Sequence, residues 1–339
     1  MSHTGIGFFC SPIGLGHATR DIAIAEFLDK ATTKFVTGVG AAKLISENGF
    51  LVDDAYTPPN FDVQKGTLRG SLKWLWNYYQ YYKDCKKISQ KFIDDEKPKL
   101  VVSDEDFASL MVAQQKKIPT ILITDILETN FTKGIGSLIE KKMNQSMKQI
   151  IQNCHTVIMP ETGPDENNIM RVGPIVRQTK YTRNELRKRF AFDKKTITVS
   201  VGGTDAGKFL IEKVLEIAPK LKDYDMILVS GPALKIQNSG IRNLGFVNNL
   251  HEVIYASDLV ISLAGKSTID ESKAYGTPGI FIPIKGHFEQ EDNARSEGYS
   301  FEDINKLESL IPQKTESERI QAQTDGAKKA AQIIQNHLN

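Results

Sequence analysis

A chain of 339 residues, 40% of them hydrophobic and 25% charged, carries enough apolar material for more than one buried core, so two domains are the first expectation. A formal net charge of +2 is too balanced to mark a nucleic-acid binder, and no nucleic-acid partner is expected. The three cysteines (Cys10, Cys85 and Cys154) match no zinc or redox spacing and suit a reducing cytoplasm; no apolar run approaches the ~18 residues of a membrane span, and no basic-then-apolar leader opens the chain.

Strands alternate with helices from the start, the pattern of parallel sheets and an α/β class. Gly5–Cys10 reads as an apolar strand, broken by Ser11-Pro12-Ile13-Gly14-Leu15-Gly16, and His17-Ala18-Thr19-Arg20 then opens a helix carrying Ile22, Ala25 and Leu28. A Gly-rich turn between a first strand and a first helix is where open α/β sheets place ligands, so His17 would face a crevice; the competing reading is a polar residue at a helix start. Lys34–Val36 is the next strand. Gly38-Val39-Gly40 after it lacks the third glycine and the acidic partner of a dinucleotide fingerprint. From Leu68 to Lys97, Trp74, Trp76, Tyr78, Tyr79, Tyr81 and Tyr82 sit among Lys73, Lys83, Lys86, Lys87 and Lys91, with Leu68, Leu72, Leu75, Tyr79 and Tyr82 at helical spacing. Two readings stand: a long helix packed by its aromatic face, or an interfacial helix whose Leu68–Lys91 portion touches a membrane surface. Lys99–Ser103 is a strand with Asp104-Glu105-Asp106 at its carboxyl end, either in the crevice that His17 faces or as a solvated helix cap. Strands at Thr120–Thr124 and His155–Met159 flank an amphipathic helix over Gly134–Asn153.

The second half opens with a polar helix near Arg183–Phe190 and a strand at Thr196–Val201. The run from Gly202 to Phe209 nearly matches a P-loop, but Phe209 has no hydroxyl for magnesium; the alternative is that Gly202, Gly203 and Thr204 free backbone N–H groups for a diphosphate. Asp225–Ser230 is another strand. Strand Asp258–Leu263 then runs into a small-residue turn, Ala264-Gly265-Lys266-Ser267-Thr268, and a helix bearing Asp270 and Glu271 that stops at Gly276-Thr277-Pro278. Strand Gly279–Pro283 leads to His287-Phe288-Glu289-Gln290 and Asn293-Ala294. Helix N-termini offer free N–H groups and a positive dipole end to a phosphate, and Glu271, about one turn further on, is placed for a diol. The bland reading is a capped βαβ unit. A helical tail is expected from Glu316 to Leu338.

Taken as an ordered set, Gly245-Phe246, Ala264–Thr268, Glu271, Gly276-Thr277-Pro278, Gln290 and Asn293-Ala294 resemble the donor half of GT-B fold glycosyltransferases, closest to the family 28-like enzymes that form lipid II in peptidoglycan synthesis. Gly202-Gly203-Thr204 and the Gly-x-Gly-His at 14–17 resemble turns of the same enzymes, with Pro12-Ile13 departing from their further glycines. Asp104, Ala113 and Ile118-Pro119 resemble a pattern in the sugar-transferring enzymes of plants, whose Asp pairs with the N-terminal His. Arg171–Arg177 resembles an inter-domain linker.

The resemblance implies two facing doubly wound, Rossmann-like domains: 1–177 on the acceptor side, 178–312 for the donor, and 313–339 as a C-terminal helix crossing back. It implies inverting, metal-independent transfer of a sugar, taken to be N-acetylglucosamine, from a UDP-sugar. The acceptor is unidentified, a lipid-linked one being the candidate, with the protein peripheral on the inner face of a membrane. His17 is then the base and Asp104 its orienting acid, with Asp106 as fallback. Donor binding falls to Gly14, Gly16, Gly202, Gly203, Thr204, Phe246, Val247, Ala264, Gly265, Lys266, Ser267, Thr268, Glu271, Glu289, Gln290 and Asn293, with no metal and no cofactor. A UDP-sugar epimerase or hydrolase of the same fold, and a non-catalytic nucleotide-sugar binder, are the alternatives.

Overall fold

The structure, a computed structural model, describes residues 4–130, 136–203, 205–231, 240–322 and 324–338. In chain order the elements are β1 (Ile6–Cys10), α1 (Gly16–Ala25), β2 (Thr33–Thr37), α2 (Val39–Glu47), β3 (Leu51–Asp54), β4 (Asp62–Gln64), β5 (Thr67–Arg69), α3 (Ser71–Glu96), β6 (Leu100–Asp104), α4 (Phe107–Gln115), β7 (Thr120–Ile123), α5 (Gly136–Gln152), β8 (Thr156–Met159) and β9 (Ile169–Arg171). There follow α6 (Arg183–Phe190), β10 (Thr196–Ser200), α7 (Lys208–Ile217), β11 (Asp225–Val229), β12 (Arg242–Asn243), α8 (Leu250–Ala256), β13 (Leu259–Leu263), α9 (Lys266–Ala274), β14 (Gly279–Ile282), α10 (Phe288–Ser296), α11 (Leu307–Thr315) and α12 (Gly326–Asn336).

These elements form two compact units: Met1–Asn60 with Gly70–Val176 and Thr324–Asn339, and Phe61–Arg69 with Arg177–Gln323. The first unit holds a seven-stranded parallel sheet in the order β3-β2-β1-β6-β7-β8-β9. β1 and β6 are buried along their whole length, which is why β1 reads as an unbroken apolar run rather than an alternating one and β6 begins as one at Leu100–Val102. Phe8 and Phe9 are fully buried, and each such side chain contributes ~1.5–3 kcal/mol by leaving water. The second unit holds a five-stranded parallel sheet, β12-β11-β10-β13-β14, over its own core around Val199, Leu210, Ile261 and Ile282. In both sheets the strand order reverses next to the unit's first long strand, between β1 and β6 and between β10 and β13. Those switch points are where a doubly wound sheet opens a crevice at its carboxyl edge.

Three departures from the expected layout have local causes. Leu68 belongs not to the long helix but to the hairpin β4–β5, which packs in the second unit although it lies in the N-terminal half of the chain. Its two-residue turn, Lys65-Gly66, takes φ of 48° and 75°, the geometry of a type I′ hairpin, and α3 begins only past Gly70. The division 1–177 is therefore interrupted at 61–69. The tail is not one helix: between α11 and α12 the chain is held non-helical by Arg319, which donates to the carbonyls of Ser257 (2.6 Å) and Tyr255 (3.1 Å), and by Ala322 N–H donating to Lys273 O at 3.1 Å. Residues 313–322 thus stay with the second unit, and α12 packs in the first, where Thr156 Oγ1 and His337 Nε2 lie 2.9 Å apart. Short strands β3, β9 and β12 were not legible because they carry little continuous apolar sequence.

Candidate functional site

The register of the first sheet sets Cys10 beside Asp104, so the segments leaving β1 and β6 emerge together at the switch point. The β1 segment turns through Gly14, whose φ of +83° requires glycine, into α1. His17 and Arg20 lie one turn apart on α1 and so share a face. His17 Nδ1 lies 2.9 Å from Asp104 Oδ1, while Arg20 grips the same carboxylate in fork geometry, Nε to Oδ2 at 2.8 Å and Nη2 to Oδ1 at 2.6 Å. Arg20 Nη1 also donates to Asp125, at the end of β7. Asp104 has no exposure and the imidazole is 18% exposed.

The three consecutive acids go three ways. Asp104 orients His17. Glu105, at φ +56°, turns back so that its Oε2 sits 3.8 Å from His17 Nε2, while its Oε1 accepts from Thr124 Oγ1 at 3.0 Å and Asp125 N–H at 3.2 Å. A non-glycine residue there stores about 1–3 kcal/mol of strain, commonly at sites of function. Asp106 caps α4, accepting from Ala108 N–H at 3.0 Å and from Tyr56 Oη at 2.6 Å. Asp106 is therefore a structural cap and no fallback for Asp104, and the Asp-x-Asp pair does not converge on one point. His17, Asp104 and Glu105 do bring ligand-type atoms within 4.8 Å of one another, but the Arg20 guanidinium already covers Asp104.

The electrostatics decide the resting charge of His17. Burial alone would lower the His17 pKa, but Asp104 and then Glu105 overcome it and raise it to about 9, so the imidazole is protonated near pH 7 rather than neutral. Burial would raise Asp104, yet Arg20 and His17 hold it well below the usual carboxylate range. Asp21, the next residue after Arg20, is fully buried beside Asp104 and Cys10; burial and then the Asp104 charge push its pKa well up, which favours the neutral acid. Beside this cluster a small pocket is walled by Ser11, Glu105 and Asp106 and by Tyr78, Tyr81 and Tyr82 of α3.

Arg20 and Asp125 went unassigned from sequence. Both obey the rules that picked out their neighbours: Arg20 is at i+3 from His17, and Asp125 follows the end of a parallel strand.

In the second unit the turns after β10 and β13 occupy that sheet's switch point. Gly202 sits at φ +79°, and a Cβ on Gly231 would lie 2.2 Å from Gly202 O, so both glycines are needed for the backbones to pass. Thr204 lies outside the described residues. Gly265 is the N-cap of α9 and, being glycine, brings no side-chain cap to the first turn, Lys266-Ser267-Thr268. Lys266 Nζ is turned along the helix to Asp270, 2.5 and 2.6 Å from its two oxygens.

Glu271 is buried, 2% exposed, and its Oε1 has no hydrogen-bond partner among the described residues; burial, opposed by Arg177, pushes its pKa up to about 8. An orphaned buried oxygen fits a hydroxyl donor supplied from outside the chain. On α10, Asn293 Nδ2 donates to Ala264 O at 3.1 Å and Gln290 Oε1 accepts from Ile284 N–H at 3.1 Å. Glu289 is half-buried in the first turn of α10. Phe246 and Val247 follow Gly245, whose φ is +64°. The Val247 side chain packs with Leu186, Ile227 and Val253, which leaves its backbone for any ligand role. Gly14 and Gly16 belong to the first unit with His17.

Among the described residues no helix is long and apolar enough to cross a membrane. On α3 Trp74 is buried, its indole N–H 3.3 Å from Pro59 O, whereas Trp76 and Tyr79 are 63% and 45% exposed.

Residues 196–335 match the glycosyltransferase family 28 C-terminal domain. An uncharacterized glycosyltransferase of Methanosarcina acetivorans is 28% identical over 324 residues, covering 86% of this chain and 83% of that protein. A UDP-N-acetylglucosamine–N-acetylmuramyl-(pentapeptide) pyrophosphoryl-undecaprenol N-acetylglucosamine transferase of Caldicellulosiruptor saccharolyticus is 24% identical over 315 residues, covering 83% of this chain and 79% of its own. Among solved structures, the glycotransferase of kitacinnamycin superposes with a TM-score of 0.69 at 14% identity, covering 98% of this chain and 99% of that one. At that identity the likeness establishes the fold, which is GT-B.

Proposed function

This chain is a glycosyltransferase carrying a family 28 C-terminal domain on a GT-B fold, and from that premise we propose that it transfers N-acetylglucosamine from UDP-N-acetylglucosamine, with inversion and without a metal, to a hydroxyl of a lipid-linked acceptor. The observation that carries the reading is His17 held by buried Asp104 at the switch point of the first sheet, a base-and-orienter pair that a binding module has no use for. Asp104 engages Nδ1, which leaves Nε2 to take the acceptor proton. As that proton moves to Nε2, the acceptor oxygen attacks the anomeric carbon opposite the leaving UDP, and the C–O bond to the diphosphate breaks. Arg20 keeps Asp104 ionised, so the charge that stabilises the imidazolium is always present.

Backbone N–H groups at Gly203 and at the α9 N-terminus are suited to the developing diphosphate charge. Glu271 is suited to the ribose diol, and Glu289 with the side-chain amide of Gln290 to the sugar. The naming of the relative above supports the donor sugar, and divergence of Asp104 and Asp106 supports metal independence. The test is UDP release from UDP-N-acetylglucosamine in the presence of an undecaprenyl-linked sugar acceptor, in chelator, for wild type and His17→Ala. Turnover by wild type alone is expected. Epimer or free sugar from the donor without acceptor would replace transfer by the epimerase or hydrolase reading.

A further inference from the structure

The hairpin β4–β5 is the one part of the N-terminal half of the chain that packs in the donor-bearing unit. It is bound there by both polar and apolar contacts. Leu68 N–H donates to Lys285 O and Lys285 N–H donates to Gly66 O, each at 2.8 Å, so the second strand of the hairpin bridges the segment that follows β14. Val63 and Leu68 pack on the core of the second unit. The tip is fitted just as closely: a Cβ on Gly66 would lie 2.6 Å from the Phe301 ring and 2.9 Å from the Phe209 ring. At the base of the hairpin the Phe61 ring stands edge-on to His287, with centroids 5.5 Å apart.

What the hairpin grips is the approach to α10. His287 is the N-cap of α10, its Nδ1 accepting from Gln290 N–H at 3.5 Å, and it is 7% exposed. Burial lowers its pKa to about 4, so the ring stays neutral and keeps that acceptor. Gln290 in turn uses its side-chain oxygen to hold Ile284 N–H, and Gly286 N–H donates to Glu291 Oε1 at 2.9 Å. Residues 284–291 are thus a closed loop of local bonds whose outer side is the hairpin.

We propose that the hairpin Phe61–Arg69 is a positioning element for the donor sugar: by clamping Lys285 and His287 it fixes the direction in which Glu289 and Gln290 meet the sugar hydroxyls. The inference rests on the assignment of Glu289 and Gln290 to the donor sugar. It places the control of sugar discrimination on Phe61 and Gly66, two residues remote in sequence from the donor motifs.

The probes are UDP and UDP-N-acetylglucosamine, measured by calorimetry on the full chain with Phe61→Ala and, separately, Gly66→Val, which must push against Phe301. Both variants should bind UDP within about twofold of wild type but UDP-N-acetylglucosamine roughly tenfold more weakly, a difference of ~1.4 kcal/mol. The preference over the 4-epimeric UDP-N-acetylgalactosamine should narrow, and Phe61→Tyr should restore it. Equal loss of both ligands would make the hairpin a general brace of the unit and overturn the proposal, as would unchanged affinity for both. Wild type that binds UDP but gains nothing from the sugar would instead overturn the assignment of Glu289 and Gln290, a result distinct from either.

Discussion

If His17 is the base, the reaction must be titrated by a group whose resting state is wrong for it. With the pKa of His17 raised to about 9, only about 1% of the imidazole is neutral at pH 7, since each pKa unit is a factor of ten. The rate constant kcat/KM should therefore climb about tenfold per pH unit from pH 7 and level off near pH 9, roughly a hundredfold in all. The carboxylates that raise the pKa can be removed one at a time. Glu105→Gln takes away a charge 3.8 Å from Nε2 without touching the 2.9 Å bond to Asp104, so the profile should move to lower pH and activity at pH 7 should increase. Asp104→Asn removes the larger contribution and the orienting acceptor together; the profile should move further down while its plateau falls, because the tautomer is no longer fixed. The assay is initial UDP release across pH 6–10 at subsaturating donor, with the His17 ring titrated by NMR in the same variants. A wild-type profile flat from pH 6 to 9, with His17 seen to titrate near 9, would refute the base assignment.

His17→Ala should cut transfer by about 10²–10⁴ and leave UDP affinity intact; loss of UDP binding instead of rate would reassign the residue to the donor. Measured by calorimetry above pH 8, where the carboxyl is ionised, Glu271→Ala should weaken UDP binding by roughly ten- to a hundredfold, because a charged hydrogen bond is worth ~1.5–3 kcal/mol. Glu271 also carries a pH signature: its folded pKa, about 8, lies above the unfolded value, so the ligand-free protein is fully stable on this account only below about pH 4.3 and loses stability as pH rises towards 8. Glu271→Gln should accordingly raise the ligand-free Tm at pH 8 while weakening UDP, and a lower Tm would contradict the buried, unpartnered carboxyl. For α3, Trp76→Ala with Tyr79→Ala should reduce sedimentation with anionic vesicles at unchanged Tm, whereas Trp74→Ala should cost about 3–5 kcal/mol of stability. Vesicle binding indifferent to Trp76 and Tyr79 would return the helix to a packing role.

Sequence by itself determined the class of this protein. Continuous apolar strands such as Ile6–Cys10 and Leu259–Leu263 are a local signal, since a strand buried on both faces needs no partner to be recognised. The glycines at 14, 202 and 265, and the order of elements from Gly245 to Asn293, were equally legible, because turns and helix starts are written in neighbouring residues. So was the pairing of the strand-end acid Asp104 with His17, which the resemblance implied, though not the separate places of Glu105 and Asp106. That was decided by tertiary structure: Asp104, Glu105 and Asp106 are alike in composition, but the positive φ of Glu105 sends them to His17, Thr124 and the α4 amides in turn. Tertiary structure also set the charge of His17, which depends on Asp104 and Glu105 outweighing burial. It took Phe61–Arg69 into the second unit as well, because the hydrogen bond from Leu68 N–H to Lys285 O, 217 positions further along, has no trace in local sequence.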